Sequence, residues 1–247
     1  MEAKVNAIVL KSVDYKDNDK ILTLYSVEKG KITANIRGVK KSGAKLKFAS
    51  EPFAFCEYVL AEKAGRYTVI GASYIDNFFN LRLNLTKYYV SAVILDGVNF
   101  LVGENEVEDG LFSLVINAVK LINYKQNEIN TLIGFLLEFC KILGYEIRNL
   151  NCQDCDCPID GRVFFSVKNA EFYCESCRKD DAFEITFETY VSLMKIYGKS
   201  LEDVQKEEIS FISTLKTLKF LFFYIKNKTD TELKSFSSLI DYVQTLI

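Results

Sequence analysis

Ile21-Leu22-Thr23-Leu24-Tyr25, then turn-type residues at Lys29-Gly30, then Lys31-Ile32-Thr33-Ala34-Asn35-Ile36 is the stretch that decides the fold of the first part of this chain. Both runs are short, rich in β-branched or aromatic residues and bounded by turn formers, which is the signature of β-strands. The same reading extends outward to Ala7-Ile8-Val9-Leu10, to Phe53-Ala54-Phe55-Cys56-Glu57-Tyr58-Val59-Leu60 and to Tyr67-Thr68-Val69-Ile70, with Asp17-Asn18-Asp19 and Ala64-Gly65 as further turns. Five strands of this kind within roughly 75 residues favour a small closed barrel over an open sheet, and an OB-fold is the leading candidate.

From about Asn80 the apolar period changes. Leu85, Tyr88, Tyr89, Ala92, Val93 and Leu95 recur at helical spacing, and similar stripes run over Leu111 to Ile122, Ile129 to Leu143, Phe187 to Tyr197, Ile209 to Ile225 and Leu233 to Ile247. Gly144 reads as a helix stop. The expected class is α+β, with an OB-fold over 1–80 and a helical domain over 81–247. The apolar run Leu218 to Ile225 reads as the interior of a helical bundle, with an exposed partner groove as the lesser reading.

The helical domain is interrupted by Cys152-x-x-Cys155, eighteen residues, and Cys174-x-x-Cys177. Two such pairs read as one tetrahedral zinc site, because a single tight turn aims both sulfurs of a pair at one ion. Four thiolates leave no open position for water, so the expected zinc is structural, and reduced cysteines without metal are the plainer alternative. Val163 to Val167, Lys168-Asn169-Ala170 and Glu171-Phe172-Tyr173 read as a β-hairpin that brings the second pair back to the first, in an insertion over about 150–180. The metal is expected to stabilise a local fold with little apolar area of its own to bury. Cys157 is a fifth thiol near the site. Cys155 is preferred as ligand because it makes the two pairs symmetrical. Cys56 and Cys140 sit among apolar neighbours and read as core.

Composition narrows the function. The 247 residues are 49% hydrophobic, enough for a substantial core, and include no histidine, which removes Ser-His-Asp and Cys-His catalysis and histidine metal sites. No Walker loop, paired-acid motif or dinucleotide fingerprint is present, so the chain is not expected to be an enzyme. No signal peptide opens the sequence and no apolar run reaches membrane-span length, which points to the cytosol. The formal charge is −2, but 13 Lys and Arg face 9 Asp and Glu through Asn80, against 18 and 24 beyond it. The basic part is concentrated in Lys29 to Lys47, where Lys29, Lys31, Arg37, Lys40, Lys41, Lys45 and Lys47 occur with no acidic residue. On charge alone a solvated face and a phosphate-binding face are equally expected; placement on an OB-fold raises the second, with Gly38 to Lys45 as a mobile loop. Tyr25 and Tyr67 are candidate stacking residues, though core packing or plain exposure is the more ordinary fate of each.

The order of parts, and a set of local matches, resemble one bacterial family. These are Ala7-Ile8-Val9-Leu10-Lys11 with Asp14-Tyr15, Asp19 to Ser26, Gly30-Lys31-Ile32, Ile36-Arg37-Gly38-Val39-Lys40-Lys41, Pro52-Phe53, Phe79-Asn80-Leu81-Arg82, Leu143-Gly144-Tyr145 and Leu233-Lys234-Ser235. On them the chain resembles the recombination-mediator family RecO. The resemblance implies an N-terminal OB-fold, a helical domain that often carries a zinc-binding insertion, and a role in repair by homologous recombination. It also implies binding of single- and double-stranded DNA, annealing of complementary strands, contact with RecR and the single-strand binding protein SSB, help in loading RecA, and a cytoplasmic, nucleoid-associated location. By the same carry-over, Arg37, Lys40 and Lys41 fall in the family's DNA-touching strand and loop, and the four cysteines at its zinc positions. Lys31, Lys45 and Lys47 join the expected DNA-binding set from charge alone. The competing reading is a zinc-containing protein-interaction module or regulator whose basic loop is only solvated.

Overall fold

The computed structural model describes residues 2–245. Strands β1 (Glu2–Tyr15), β2 (Asp19–Ser26), β3 (Gly30–Ile36), β4 (Phe55–Lys63) and β5 (Arg66–Asp76) close into a barrel in the order β1-β2-β3-β5-β4. The neighbours are antiparallel except β3 and β5, which run parallel through Ala34↔Tyr67, Asn35↔Thr68 and Ile36↔Val69. Closure through β1 and β4 leaves no free sheet edge, as expected of an OB-like barrel.

The run Ala7 to Leu10 lacks the polar alternation of a half-buried strand, and its surroundings say why. Val5, Ala7 and Val9 point into the barrel with Leu22, Leu24, Ile32, Ala34 and Ile36. Ile8 and Leu10 instead join the core of the helical domain, together with Tyr25, Phe53, Phe55 and Phe78. β1 is thus buried on both faces, the condition that produces a continuous apolar run.

The helical domain is built from α1 (Leu85–Leu101), α2 (Leu111–Tyr124), α3 (Glu128–Ile142), α4 (Phe187–Ile196), α5 (Leu201–Val204), α6 (Phe211–Thr229) and α7 (Lys234–Gln244). Side chains of Asn84, Thr186, Ser200 and Ser210 accept hydrogen bonds from backbone N–H groups three residues on, so the sequence supplies its own N-caps for α1, α4, α5 and α6. Gly144, at φ +80°, follows α3 as the expected stop. α7 packs on α1, and α6 on α3 and α4. The expected C-terminal helix runs to Ile247; residues 246–247 lie outside the described residues. Leu218, Phe220, Leu221, Tyr224 and Ile225 are buried, as a bundle interior requires, while Phe223 of the same run is 46% exposed.

Between α3 and α4 lies a small sheet of β6 (Val163–Ser166), β7 (Glu171–Cys174) and β8 (Phe183–Ile185), in the order β7-β6-β8. The expected hairpin is present; β8 is an additional strand, too short to show a period of its own. The module is not apolar-poor, contrary to expectation. Val163, Phe164, Phe165, Phe172 and Tyr173 are all buried, and the Phe165 ring meets Phe220 and Tyr224 of α6 with centroids 4.9 and 5.6 Å apart. The insertion is therefore part of the helical core. None of the helices among the described residues is long and apolar enough to cross a membrane.

Barrel and helices are locked at the β2–β3 turn. Gly30 takes φ +63°, and a Cβ placed there would lie 1.9 Å from the Glu106 carbonyl oxygen, so only glycine allows the segment after α1 to lie against the turn. The Asn105 N–H donates to the Lys31 carbonyl at 2.8 Å. Buried Lys31 donates from its ammonium to the carbonyl of Asn99 at 2.8 Å and to that of Val102, at the C-terminal end of α1 where the helix dipole favours a cation. This corrects the expectation that Lys31 faces DNA: its strand places it outward, but the helical domain covers that part of the barrel. Lys31→Met leaves carbonyls of the last turn without a charged donor and is expected to lower stability by about 1–3 kcal/mol. Gly30→Ala is expected to cost at least about 2 kcal/mol through strain and collision. Urea unfolding checks both, and unchanged midpoints would mean that this contact does not hold the two parts together.

Candidate nucleic-acid face and cysteine cluster

Where β3 ends, the chain enters a succession of turns. The Gly38 N–H donates to Asp19 Oδ1 at 2.9 Å and the Lys40 N–H to the Asn18 carbonyl at 3.1 Å, fixing the start of the segment to the β1–β2 turn. Lys41, Ala44 and Lys47 then donate N–H groups to the carbonyls of Gly38, Lys41 and Ala44. Val39 and Ala49 are buried in the barrel core with Leu46 and Phe48 packed against it, and the Tyr58 hydroxyl donates to the Ala49 carbonyl at 2.8 Å. The expected mobile loop is thus a hydrogen-bonded strap with apolar pegs. Between the pegs, Arg37, Lys40, Lys41, Lys45 and Lys47 are exposed.

These five cations are not equivalent. Lys40 forms a 2.7 Å ion pair with Asp14, and that hydrogen bond holds the Asp14 carboxyl below its usual range. An exposed pair of this kind adds little stability, but it cancels much of the charge Lys40 would offer a ligand. Among the described residues Arg37, Lys41, Lys45 and Lys47 form no salt bridge. The parallel β3–β5 pairing also places Lys63 and Arg66, from the tight β4–β5 turn, on one groove with Arg37. Charge counting missed these two because they lie well outside the basic stretch; only the strand order brings them close. Tyr25 is buried against Phe112, and Tyr67 is half-buried at the barrel rim with the Lys29 ammonium 5.2 Å from its ring centroid.

The cysteines of the two pairs converge. Cys152 is held by its N–H to the Cys157 carbonyl at 3.0 Å, while Gln153 donates to the Phe172 carbonyl at 2.9 Å and Asp156 back to the Cys152 carbonyl at 2.8 Å. β7 delivers Cys174, and a 3₁₀ turn over Glu175–Cys177 delivers the fourth thiol. The sulfurs of Cys152, Cys155, Cys174 and Cys177 all lie within 4.8 Å of one another, with Cys155 and Cys174 at 4.0 Å. A tetrahedron of thiolates around a metal at about 2.3 Å has edges of about 3.8 Å, so the four can hold one metal ion with small adjustments. Cys157 is exposed, its thiol turned toward the Cys155 carbonyl at 3.4 Å, and is not part of the group.

Burial pushes the Cys152 thiol up, but the N–H groups of Cys174, Cys155 and Asp154 and the Cys155 thiol outweigh it and bring it down to about 6. Hydrogen bonding with Cys174, aided by burial and by Cys152 and Cys155, pushes Cys177 up to about 12. Cys152 is thus available as a thiolate at neutral pH, and Cys177 loses its proton as a cation enters. Around the cluster, Arg162 bridges Glu175 at 2.7 Å and Glu184 of β8 at 2.6 Å, tying the second knuckle to the sheet, and Lys179, just beyond that knuckle, pairs with Asp154 of the first.

A family model described as recombination protein O N terminal matches residues 1–78, and one described as recombination protein O C terminal matches residues 82–236. The chain belongs to the RecO family. It is 25% identical to a DNA repair protein RecO of Caldicellulosiruptor saccharolyticus across 96% of this chain and 98% of that protein. It is 28% identical to one of Desulforamulus reducens across 94% and 91%, and 29% identical to one of Shouchella clausii across 86% and 87%. These relatives match along nearly their whole lengths, so this RecO-family chain carries both the barrel and the helical part. For its cysteine cluster, Cys155→Ser is expected to remove bound metal and Cys157→Ser to leave one ion per chain, by mass-spectrometric metal analysis; the reverse pattern would exchange the two as ligands.

Proposed function

We propose that this RecO-family chain is a non-enzymatic mediator of DNA repair and homologous recombination. It binds single- and double-stranded DNA, anneals complementary strands, docks on RecR and SSB, helps RecA to load and works in the cytoplasm at the nucleoid. The observation that carries this reading is the strap on the barrel: Arg37, Lys41, Lys45 and Lys47 are exposed with no acid between residues 29 and 47, on a protein whose relatives are named for DNA repair. Cations held on a fixed backbone neutralise phosphates without first ordering a loop, so less entropy is lost on binding. Neutralising two strands at once lowers their mutual repulsion and lets bases pair, a process in which no bond is made or broken.

In this reading the metal is zinc, held by Cys152, Cys155, Cys174 and Cys177, with a structural role, since four thiolates fill a tetrahedral shell. Its removal frees the knuckles, while the Phe165 and Phe172 contacts with α6 keep the hairpin docked. Chelation is accordingly expected to lower the thermal midpoint without abolishing helical circular dichroism; complete unfolding on chelation would make the metal, not the shared aromatic core, the chief support of the module.

For the DNA reading, fluorescence anisotropy of labelled single-stranded and duplex oligonucleotides is expected to show salt-sensitive binding by the wild type. Lys41→Glu/Lys45→Glu is expected to weaken both by about tenfold or more. Equal binding by the variant would move the chain to the protein-interaction reading. Lys40 is the poorer test, being paired with Asp14 already.

A further inference from the structure

The thiols of the cysteine module differ in their access to solvent. Cys152 is fully buried, Cys174 and Cys177 are half-buried, and Cys155 is exposed, so a solute meets Cys155 first among the four that converge. Its sulfur lies 4.0 Å from that of Cys174. The first knuckle is anchored on its Cys152 side, where Cys152 bridges to Phe172 and the Gln153 N–H donates to the Phe172 carbonyl at 2.9 Å. Its other side is free of such ties: among the described residues Cys155 makes no backbone–backbone hydrogen bond. The Cys155 sulfur can therefore close from 4.0 Å to the roughly 2.05 Å of a disulfide by movement of the knuckle alone, with the sheet left in place. Exposed Asp154 and Asp156 flank Cys155 in the chain, and they disfavour an anionic oxidant relative to a neutral one.

We infer that the module is a reversible oxidation site for a hydroperoxide, at which Cys155 is oxidised and joined to Cys174 and the metal is given up. The inference rests on the metal reading above, in which both sulfurs are thiolates. The Cys155 sulfur attacks the terminal oxygen of the hydroperoxide: an S–O bond forms, the O–O bond breaks, and hydroxide or an alkoxide leaves. The Cys174 sulfur then attacks the sulfenic sulfur: an S–S bond forms, the S–O bond breaks, and hydroxide leaves. Both leaving groups take protons from water, and two electrons have passed from the thiolates to one hydroperoxide. Only Cys152 and Cys177 then remain as ligands, too few for a site that needs four. The disulfide joins the same two knuckles that the ion joined, and Phe165 and Phe172 keep the sheet on α6, so the module survives oxidation and a thiol reductant restores it. What changes is the second knuckle, where Cys177 and the neighbouring Arg178 lose their tether. Cys157 takes no part, because its thiol is turned to the Cys155 carbonyl at 3.4 Å and lies outside the group of four.

The test treats the zinc-bound full chain with hydrogen peroxide and follows the released ion with a chromogenic chelator, then maps disulfides by peptide mass spectrometry and counts thiols after unfolding. The wild type is expected to release its ion, to lose two of its seven thiols and to yield a Cys155–Cys174 disulfide, with its helical circular dichroism retained. Dithiothreitol with added zinc is expected to restore both the ion and the thiols. Cys157→Ser is expected to behave as the wild type does. Retention of the ion through peroxide treatment, a Cys155–Cys157 disulfide in place of Cys155–Cys174, or oxidation that dithiothreitol does not reverse overturns the proposal and leaves the metal reading standing. A chain that holds no ion before peroxide and takes up no added zinc overturns both.

Discussion

The buried ammonium of Lys31, set on the last carbonyls of α1 beneath the Gly30 turn, is the contact on which the arrangement of the molecule depends. It commits one end of β3 to the helical domain. The opposite end of that strand, about 20 Å away at the rise of an extended chain, is exposed at Arg37. Arg37, the strap and the β4–β5 turn all gather there. The same docking explains why β1 is apolar on both faces and why aromatic residues of the barrel, Tyr25, Phe53 and Phe55, belong to the core of the helices. A barrel joined in this way is not a bead on a linker, and a strand held on it has a fixed relation to every surface of the helical domain.

The cysteine module shows a related economy of construction. Its four sulfurs, from Cys152, Cys155, Cys174 and Cys177, lie together at one end of β7, and the rings of Phe165 on β6 and Phe172 on β7 reach Phe220 of α6. Metal and apolar packing act on different parts of the module: the ion would fix the knuckles, while ring contacts fix the sheet. Arg162, bridging Glu175 and Glu184, links the two.

Most of the architecture was legible in local pattern. Strand runs, the change to helical spacing near residue 80, and the paired cysteines each report a short-range constraint, and β1 to β5, the long helices and the sulfur cluster follow them. What escaped was non-local. Lys31 looks like its basic neighbours because nothing in the sequence near it mentions α1. Lys63 and Arg66 look like ordinary turn residues because the parallel β3–β5 pairing that sets them beside Arg37 joins strands thirty residues apart. The insertion seemed poor in apolar area because its partners, Phe220 and Tyr224, lie in a helix that follows it by some forty residues.

The central claim is that nucleic acid lies on the end of the barrel remote from Lys31. Hydrogen–deuterium exchange of the full chain with and without saturating oligo(dT) tests it most directly. The account predicts added protection over residues 37–47 and 61–70, with exchange in the cysteine module over 150–180 unchanged. Protection confined to the helical domain, with the barrel untouched, would contradict it.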